Sequence, residues 1–356
     1  MDPTTKDLHL GYAVVYEKLR QLQEMGHQIV FLIGDFTARF GDPTDQKKTR
    51  GLRNKKEIEA CAKNYIKQIG KILDVKKLEI RRNSEWFDKF SGQDILELQS
   101  RFTVARMLER DMFQERIKNR QEIYYHEPVY PMLQAYDSVM LKSDLTVIGT
   151  DQIFNEIQGR ELQREFGQEP QDIIAMSILI GTDGKQKMSQ SLGNYIGITE
   201  SANQQYGKIM SIPDDLIIHY LTLCTDIPLE KVQDIERRLQ SHKMNPMDAK
   251  MFLARKIVER YHGIKQAEKA EKYFVTAFQK KKIPAEIPVL HIKAPRPLIE
   301  ILLDKKQIKS RSEFRRLVRD GAVEAEGGII KDVHYKVNKN IVLKLGKKKF
   351  LKIELN

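Results

Sequence analysis

The chain has 356 residues, 41% apolar and 31% charged, with a formal net charge of +12 and a mean hydropathy of −0.50. That length suits two or three domains with sizeable cores, no run reaches the ~18 apolar residues a membrane span needs, and the polar N-terminus has no signal-peptide core. Cys61 and Cys224 are the only cysteines, without metal-ligand spacing, which argues against a disulfide framework or a cysteine zinc site and for a reducing, cytoplasmic setting.

Leu10, Val14, Leu19, Leu22 and Met25 recur at roughly helical spacing, which predicts a helix over 10–25 stopped at Gly26. The apolar run Ile29–Ile33 predicts a fully buried strand, closed by Gly34-Asp35 and followed by a second turn at Gly41-Asp42-Pro43. Residues 54–125 read as mostly helical and charged, an insertion between two halves of a sheet. A helix around Tyr130–Val139 and strands at Leu145–Ile148 and Ile173–Ile180 resume the alternation. The expected fold class is α/β, a doubly wound parallel sheet over 1–200. Residues 201–280 show only helical periodicity. The prolines at 284, 288, 295 and 297 interrupt it, which predicts a linker at 281–294 and a small α+β domain at 295–356. From 291 to 356 there are 17 Lys and Arg against 8 Asp and Glu, a surplus of nine. A polyanion partner and a merely solubilising surface both fit that charge.

Three local patterns bear on chemistry. Gly184-Lys-Gln-Lys-Met-Ser-Gln-Ser191 is a loop after an apolar strand whose lysines, Lys185 and Lys187, can close over a polyphosphate. His9-Leu10-Gly11-Tyr12 opens a helix whose free N–H groups and dipole attract phosphate, with Gly11 leaving room for a nucleotide. Gly149-Thr150-Asp151-Gln152 ends a strand and starts a helix, a common turn that can cradle a ribose. In addition Tyr130, Gln134 and Asp137 stand at i, i+4 and i+7, so they share one helix face, either around a small polar ligand or in solvent.

The histidine–glycine entrance followed by the Lys-Met-Ser loop resembles the paired ATP signature of class I aminoacyl-tRNA synthetases. Tyr130-Pro-Met-Leu-Gln-Ala-Tyr-Asp137 resembles the amino-acid pocket of the tyrosyl-tRNA synthetases among them. Asn245-Pro-Met-Asp-Ala-Lys250 through Tyr261-His262-Gly263 resembles their helical anticodon-side domain, and 298–343 resembles an S4 RNA-binding domain, so the likeness covers nearly the whole chain.

The resemblance implies a Rossmann-like catalytic domain that activates L-tyrosine with ATP and Mg2+, transfers it to tRNA-Tyr, and works as a cytoplasmic homodimer through the inserted region. It implies ATP contacts from Asp2, Thr4, His9, Gly11, Tyr12, Gly149, Asp151, Lys187, Met188, Ser189 and Ser191, with His9, Lys187 and Gln190 acting on the phosphates. It assigns Tyr130, Gln134 and Asp42 to the substrate ammonium, Asp137 to its phenol and Gln152 to its carboxyl end, and Arg311, Arg315 and Arg316 to RNA. Three departures stand out. The family carries a further strand and helix before the segment matched here, so a bare edge is expected in the central sheet. Tyr12 stands in place of a second histidine or asparagine, and Gln190 in place of a second lysine. Tryptophanyl-tRNA synthetase and a non-catalytic RNA-binding relative are the competing readings; the carboxylate of Asp137 speaks against the first, since an indole has no hydroxyl.

Overall fold

The computed structural model describes the chain except for residues 6, 42–53, 280–286, 293, 326–327, 347–348 and 356. It comprises two compact units, Met1–Tyr261 and His262–Asn356.

In the first unit α1 (Leu10–Glu24) buries Leu10, Ala13, Val14 and Tyr16. Gly26, at φ 94°, ends it, and His27 N–H returns to the Leu22 carbonyl at 3.1 Å. Met25, the C-cap just before Gly26, is exposed, so the apolar face of α1 stops at Leu22. β1 (Ile29–Ile33) alternates between buried and half-buried residues rather than being buried throughout, because part of it faces a cavity.

The chain then passes through α2 (Lys55–Ile69) to β2 (Leu78–Arg82), parallel to β1 with Ile29 opposite Leu78 and Ile33 opposite Arg82. The sequence pattern predicts mostly helix here. Leu-Glu-Ile-Arg-Arg hides a strand because its charge is partnered from distant elements: Arg82 binds Glu59 at 2.7 Å and Asp35 at 3.3 Å. Four short helices follow: α3 (Ser84–Phe87), α4 (Gly92–Gln99), α5 (Val104–Met107) and α6 (Asp111–Lys118). Next come α7 (Tyr130–Leu141), β3 (Leu145–Gly149), α8 (Ile153–Glu165) and β4 (Asp172–Met176), with β4 parallel to β3. β4 stops short of the expected Ile180, which bridges Lys187 instead.

The parallel strands form two separate two-stranded sheets, β1–β2 and β3–β4. Val30 and Leu32 of β1 and Thr146 and Ile148 of β3 line one cavity of about 1010 Å³. Beside β1, the Met1 amino group donates to the Leu32 carbonyl at 2.8 Å and Gly34 N–H donates to the Met1 carbonyl at 2.9 Å, the bonding pattern of a parallel bridge. The unit ends in helices α9 (Ala202–Met210), α10 (Ile217–Cys224), α11 (Leu229–Gln240) and α12 (Pro246–His262). Arg260 of α12 donates twice to Glu17 of α1, at 2.8 and 2.9 Å, and Arg20 donates to the same carboxylate at 2.7 Å. These charge-assisted bonds hold α1 against the helical layer.

The second unit contains α13 (Ile264–Phe274), β5 (Val289–Ile292), β6 (Arg296–Pro297), α14 (Leu298–Asp304) and α15 (Arg311–Arg319). Five strands complete it: β7 (Val323–Ala325), β8 (Gly328–Ile329), β9 (Lys336–Val337), β10 (Ile341–Leu345) and β11 (Lys349–Leu355). One sheet has the order β5-β11-β10-β7-β8, and Leu298, Leu302, Phe314, Leu343 and Ile353 are central to its core. Residues 289–292, read from sequence as linker, are β5 and pair parallel with β11; the alternation of Val-Leu-His-Ile suits a half-buried strand.

Candidate active site

His9 is the N-cap of α1, and backbone bonds on both sides of it fix its position. Leu10 N–H donates to Ile196 at 2.9 Å and Ile198 N–H to Leu8 at 3.0 Å, a short ladder against 196–198. The imidazole stacks on Tyr12 with ring centres 4.3 Å apart. A Cβ on Gly11 would come within 3.0 Å of that imidazole, so glycine keeps the ring in place. His9 is buried, and burial first, then the Lys187 charge, lower its pKa to about 3. It is therefore a neutral hydrogen-bonding group near pH 7 in this structure. Its Nδ1 has no partner among the described residues.

The Lys-Met-Ser loop follows the segment after β4 and folds back on it, with Ile180 bridging Lys187. Gly181 N–H donates to Gln186 and Met188 N–H to Leu179, both at 2.8 Å, and Gly184 takes a positive φ of 74°. Asp183 accepts from the N–H groups of Lys185 and Gln186 and from the Asn194 amide at 3.1 Å. Asn194 also donates to the Lys187 carbonyl and accepts from Ser189 N–H, so it ties the two arms of the loop together. Lys187 Nζ reaches Asp151 Oδ2 at 3.1 Å. Gln190 Nε2 donates to the Asp7 carbonyl at 2.6 Å, which joins the loop to the segment that carries His9. Met188 is buried, while the hydroxyls of Ser189 and Ser191 lie 2.9 Å apart. Gly149 is confined too, since a Cβ there would sit 2.7 Å from Asp151 Oδ1.

At the other end of the cavity Asp137 is buried, and its Oδ1 accepts from Trp86 Nε1 at 2.9 Å and its Oδ2 from Asn83 Nδ2 at 3.3 Å. Burial pushes its pKa well up, against the pull of those two bonds. Tyr130 donates to Asp2 Oδ2 at 3.1 Å and Thr37 to Asp2 Oδ1 at 2.7 Å. Asp2, expected beside ATP, thus sits with the residues expected to hold the amino acid. Gln134 joins Asn155 and Glu156, and Asn155 reaches Gln152.

One cavity therefore gathers Asp2, Thr4, His9, Gly11, Tyr12, Tyr130, Gln134, Asp137, Gly149, Asp151, Gln152 and Lys187–Ser191. Asp42 lies outside the described residues. Sequence reading missed Asn83, Trp86, Thr37 and Glu156. The only tryptophan of the chain was the available signal for the first two, but it lies in the segment set aside as an insertion. In the second unit Arg311, Arg315 and Arg316 point from α15 into solvent while Phe314 and Val318 anchor its other face. Ser310 caps this helix through Glu313 N–H at 3.1 Å.

Residues 1–279 match the family model for class I tRNA synthetases (W and Y). The tyrosine–tRNA ligase of Thermotoga maritima is 47% identical over 99% of this chain and 88% of its own length. Tyrosine–tRNA ligase 2 of Clostridium acetobutylicum is 48% identical over the same shares. Among solved structures, the tyrosyl-tRNA synthetase of Archaeoglobus fulgidus complexed with L-tyrosine overlays with a TM-score of 0.59 at 23% identity, covering 75% of this chain and 88% of the other, a likeness of fold. With a family model over most of its length and relatives near half identical end to end, the chain belongs to the tyrosyl-tRNA synthetase family of the class I aminoacyl-tRNA synthetases.

Proposed function

We propose that this tyrosine–tRNA ligase binds ATP between the α1 entrance and the Lys-Met-Ser loop and L-tyrosine between α7 and the Asn83–Trp86 segment. The observation that carries this assignment is the convergence on one cavity of a neutral His9, a Lys187–Asp151 pair and a buried Asp137. The tyrosine carboxylate attacks the α-phosphate, pyrophosphate leaves, and the terminal adenosine of tRNA-Tyr takes the tyrosyl group from the adenylate. No protein nucleophile is needed, so rate comes from positioning and from charge placed where it develops.

Lys187 supplies that charge. Asp151 holds it at 3.1 Å, and the nucleotide's phosphates compete for it as its ribose engages Asp151. His9 and the backbone N–H groups of α1 donate to phosphate oxygens. Tyr130, Gln134 and Asp42 serve the ammonium group, Gln152 the carboxyl end, and Asp137 accepts from the phenol. Mg2+, when bound with the nucleotide, would add charge neutralisation at the phosphates beside Lys187.

The helices of 201–261 belong to an anticodon-side helical domain, the remainder of the expected 201–280 span falling in the second unit, and 295–356 form an S4-like module whose α15 arginines meet tRNA phosphates. The enzyme is cytoplasmic and homodimeric through the 54–125 region, where Leu96, Val104 and Tyr125 present exposed apolar surface. Charging of tRNA with labelled tyrosine tests the assignment. Accumulation of tyrosyl-tRNA supports it, and charging with tryptophan or with no amino acid refutes it.

A further inference from the structure

We propose that Glu156 is a positioning residue that fixes the direction of an amide relay, Gln134–Asn155–Gln152, and thereby the polarity with which two glutamines meet the substrate. The inference rests on the reading of this cavity as the amino-acid site.

Glu156 lies in the first turn of α8, only 6% exposed, and lines the cavity. Its Oε1 accepts from Gln134 Nε2 at 2.8 Å and its Oε2 from Gln171 Nε2 at 2.7 Å. Burial raises the pKa of Glu156 against the two amide bonds that lower it, and as a carboxylate the group has only acceptors, so both glutamines must turn their NH2 groups to it. The Gln134 Oε1 then faces Asn155, which must answer with its own NH2, at 2.7 Å. That same Nδ2 reaches Gln152 Oε1 at 3.0 Å. Asn155 is fully buried and leaves its Oδ1 without a partner among the described residues. A flip would set that oxygen against the Gln134 oxygen, so the relay direction outweighs the unmet bond. One carboxylate thus orients four amides, Gln134 and Gln171 directly and Asn155 and Gln152 through Gln134. Gln171 is held in turn, donating to Ser138 Oγ at 3.1 Å and accepting from Ser143 Oγ at 2.7 Å.

The test exchanges the acid and the amide. Glu156→Gln places an NH2 where two donors already converge, so one of the two neighbouring glutamines must turn. Adding Gln171→Glu moves the acid to the other side of the same hydrogen bond. The carboxylate at position 171 then accepts from the new amide and from the hydroxyls of Ser138 and Ser143, and the new amide's oxygen accepts from Gln134 as before. In ATP–pyrophosphate exchange Glu156→Gln should raise the tyrosine KM about tenfold, the effect of one misdirected buried hydrogen bond, with the ATP KM unchanged. The double variant should return the tyrosine KM to within about twofold of the starting chain. An unchanged KM in the single variant overturns the proposal. So does a double variant as impaired as the single, which would mean that the negative charge itself acts on the ammonium. Melting temperatures run alongside: a loss of Tm with no KM change, or one the second substitution leaves in place, also overturns it. Absence of tyrosine-dependent exchange in the unsubstituted chain refutes the underlying reading instead, before any variant is compared.

Discussion

The indole N–H of Trp86 donates to Asp137 at 2.9 Å, so a tryptophan more than fifty positions upstream aims the carboxylate expected to choose the amino acid. Asn83 holds the other oxygen and also donates to Thr37 at 3.0 Å, which links the carboxylate to the turn after β1. Asp137→Ala removes the acceptor for a phenol and leaves two buried donors unpaired, at about 1–3 kcal/mol for each lost bond. The ratio of kcat/KM for tyrosine over phenylalanine should fall by roughly tenfold or more. Steady-state exchange with the two amino acids measures it, and a ratio that survives the change places the phenol elsewhere.

A second expectation concerns acid stability. His9 has a pKa of about 3 in the fold against 6.5 as the ordinary value. Between those values the unfolded chain binds the proton and the folded chain does not, so the contribution of His9 is complete above pH 6.5 and is lost as pH falls towards 3. From about pH 7.5 to about pH 5 the loss amounts to about 2 kcal/mol. His9→Asn, neutral throughout, should lack this part of the slope in denaturant titrations at the two pH values. Equal slopes for both chains would show that the ring is not desolvated.

Gln190 ties the loop to the Asp7 carbonyl but carries no charge. Gln190→Lys can keep that bond and add a cation beside the leaving pyrophosphate. A charge-assisted bond of about 1.5–3 kcal/mol corresponds to about ten- to a hundredfold in the activation rate. Single-turnover formation of the adenylate should quicken within that range while the tyrosine KM hardly moves. A changed tyrosine KM with an unchanged rate would separate Gln190 from the phosphates.

Arg311, Arg315 and Arg316, exposed on α15, should act on tRNA alone. Replacing Arg311, Arg315 and Arg316 by alanine should weaken tRNA binding and flatten its log–log salt dependence, by about 0.7–0.9 per lost phosphate contact. Pyrophosphate exchange should stay at its starting level. Equal loss of exchange and charging would assign α15 a structural role.

Local order was largely legible in the sequence. Helical spacing and Gly26 located α1, and the apolar run Ile29–Ile33 located β1, because each element shows its own pattern. β2 was not legible, since Arg82 is matched by Glu59 and Asp35 from other elements. The i, i+4, i+7 pattern found Tyr130, Gln134 and Asp137, yet their supports Trp86, Asn83 and Glu156 come from other segments, which spacing along one helix cannot reveal. The neutrality of His9 was not legible for the same reason: it depends on burial and then on Lys187, far away in sequence.

The central claim is that one cavity joins ATP to tyrosine, and isotope exchange between pyrophosphate and ATP tests it most directly. With the purified chain, exchange should depend on L-tyrosine, be far weaker with phenylalanine or tryptophan, and fall by about tenfold or more on Lys187→Ala, which removes the charge beside Asp151. Exchange that ignores tyrosine, or that persists undiminished without Lys187, would contradict the account.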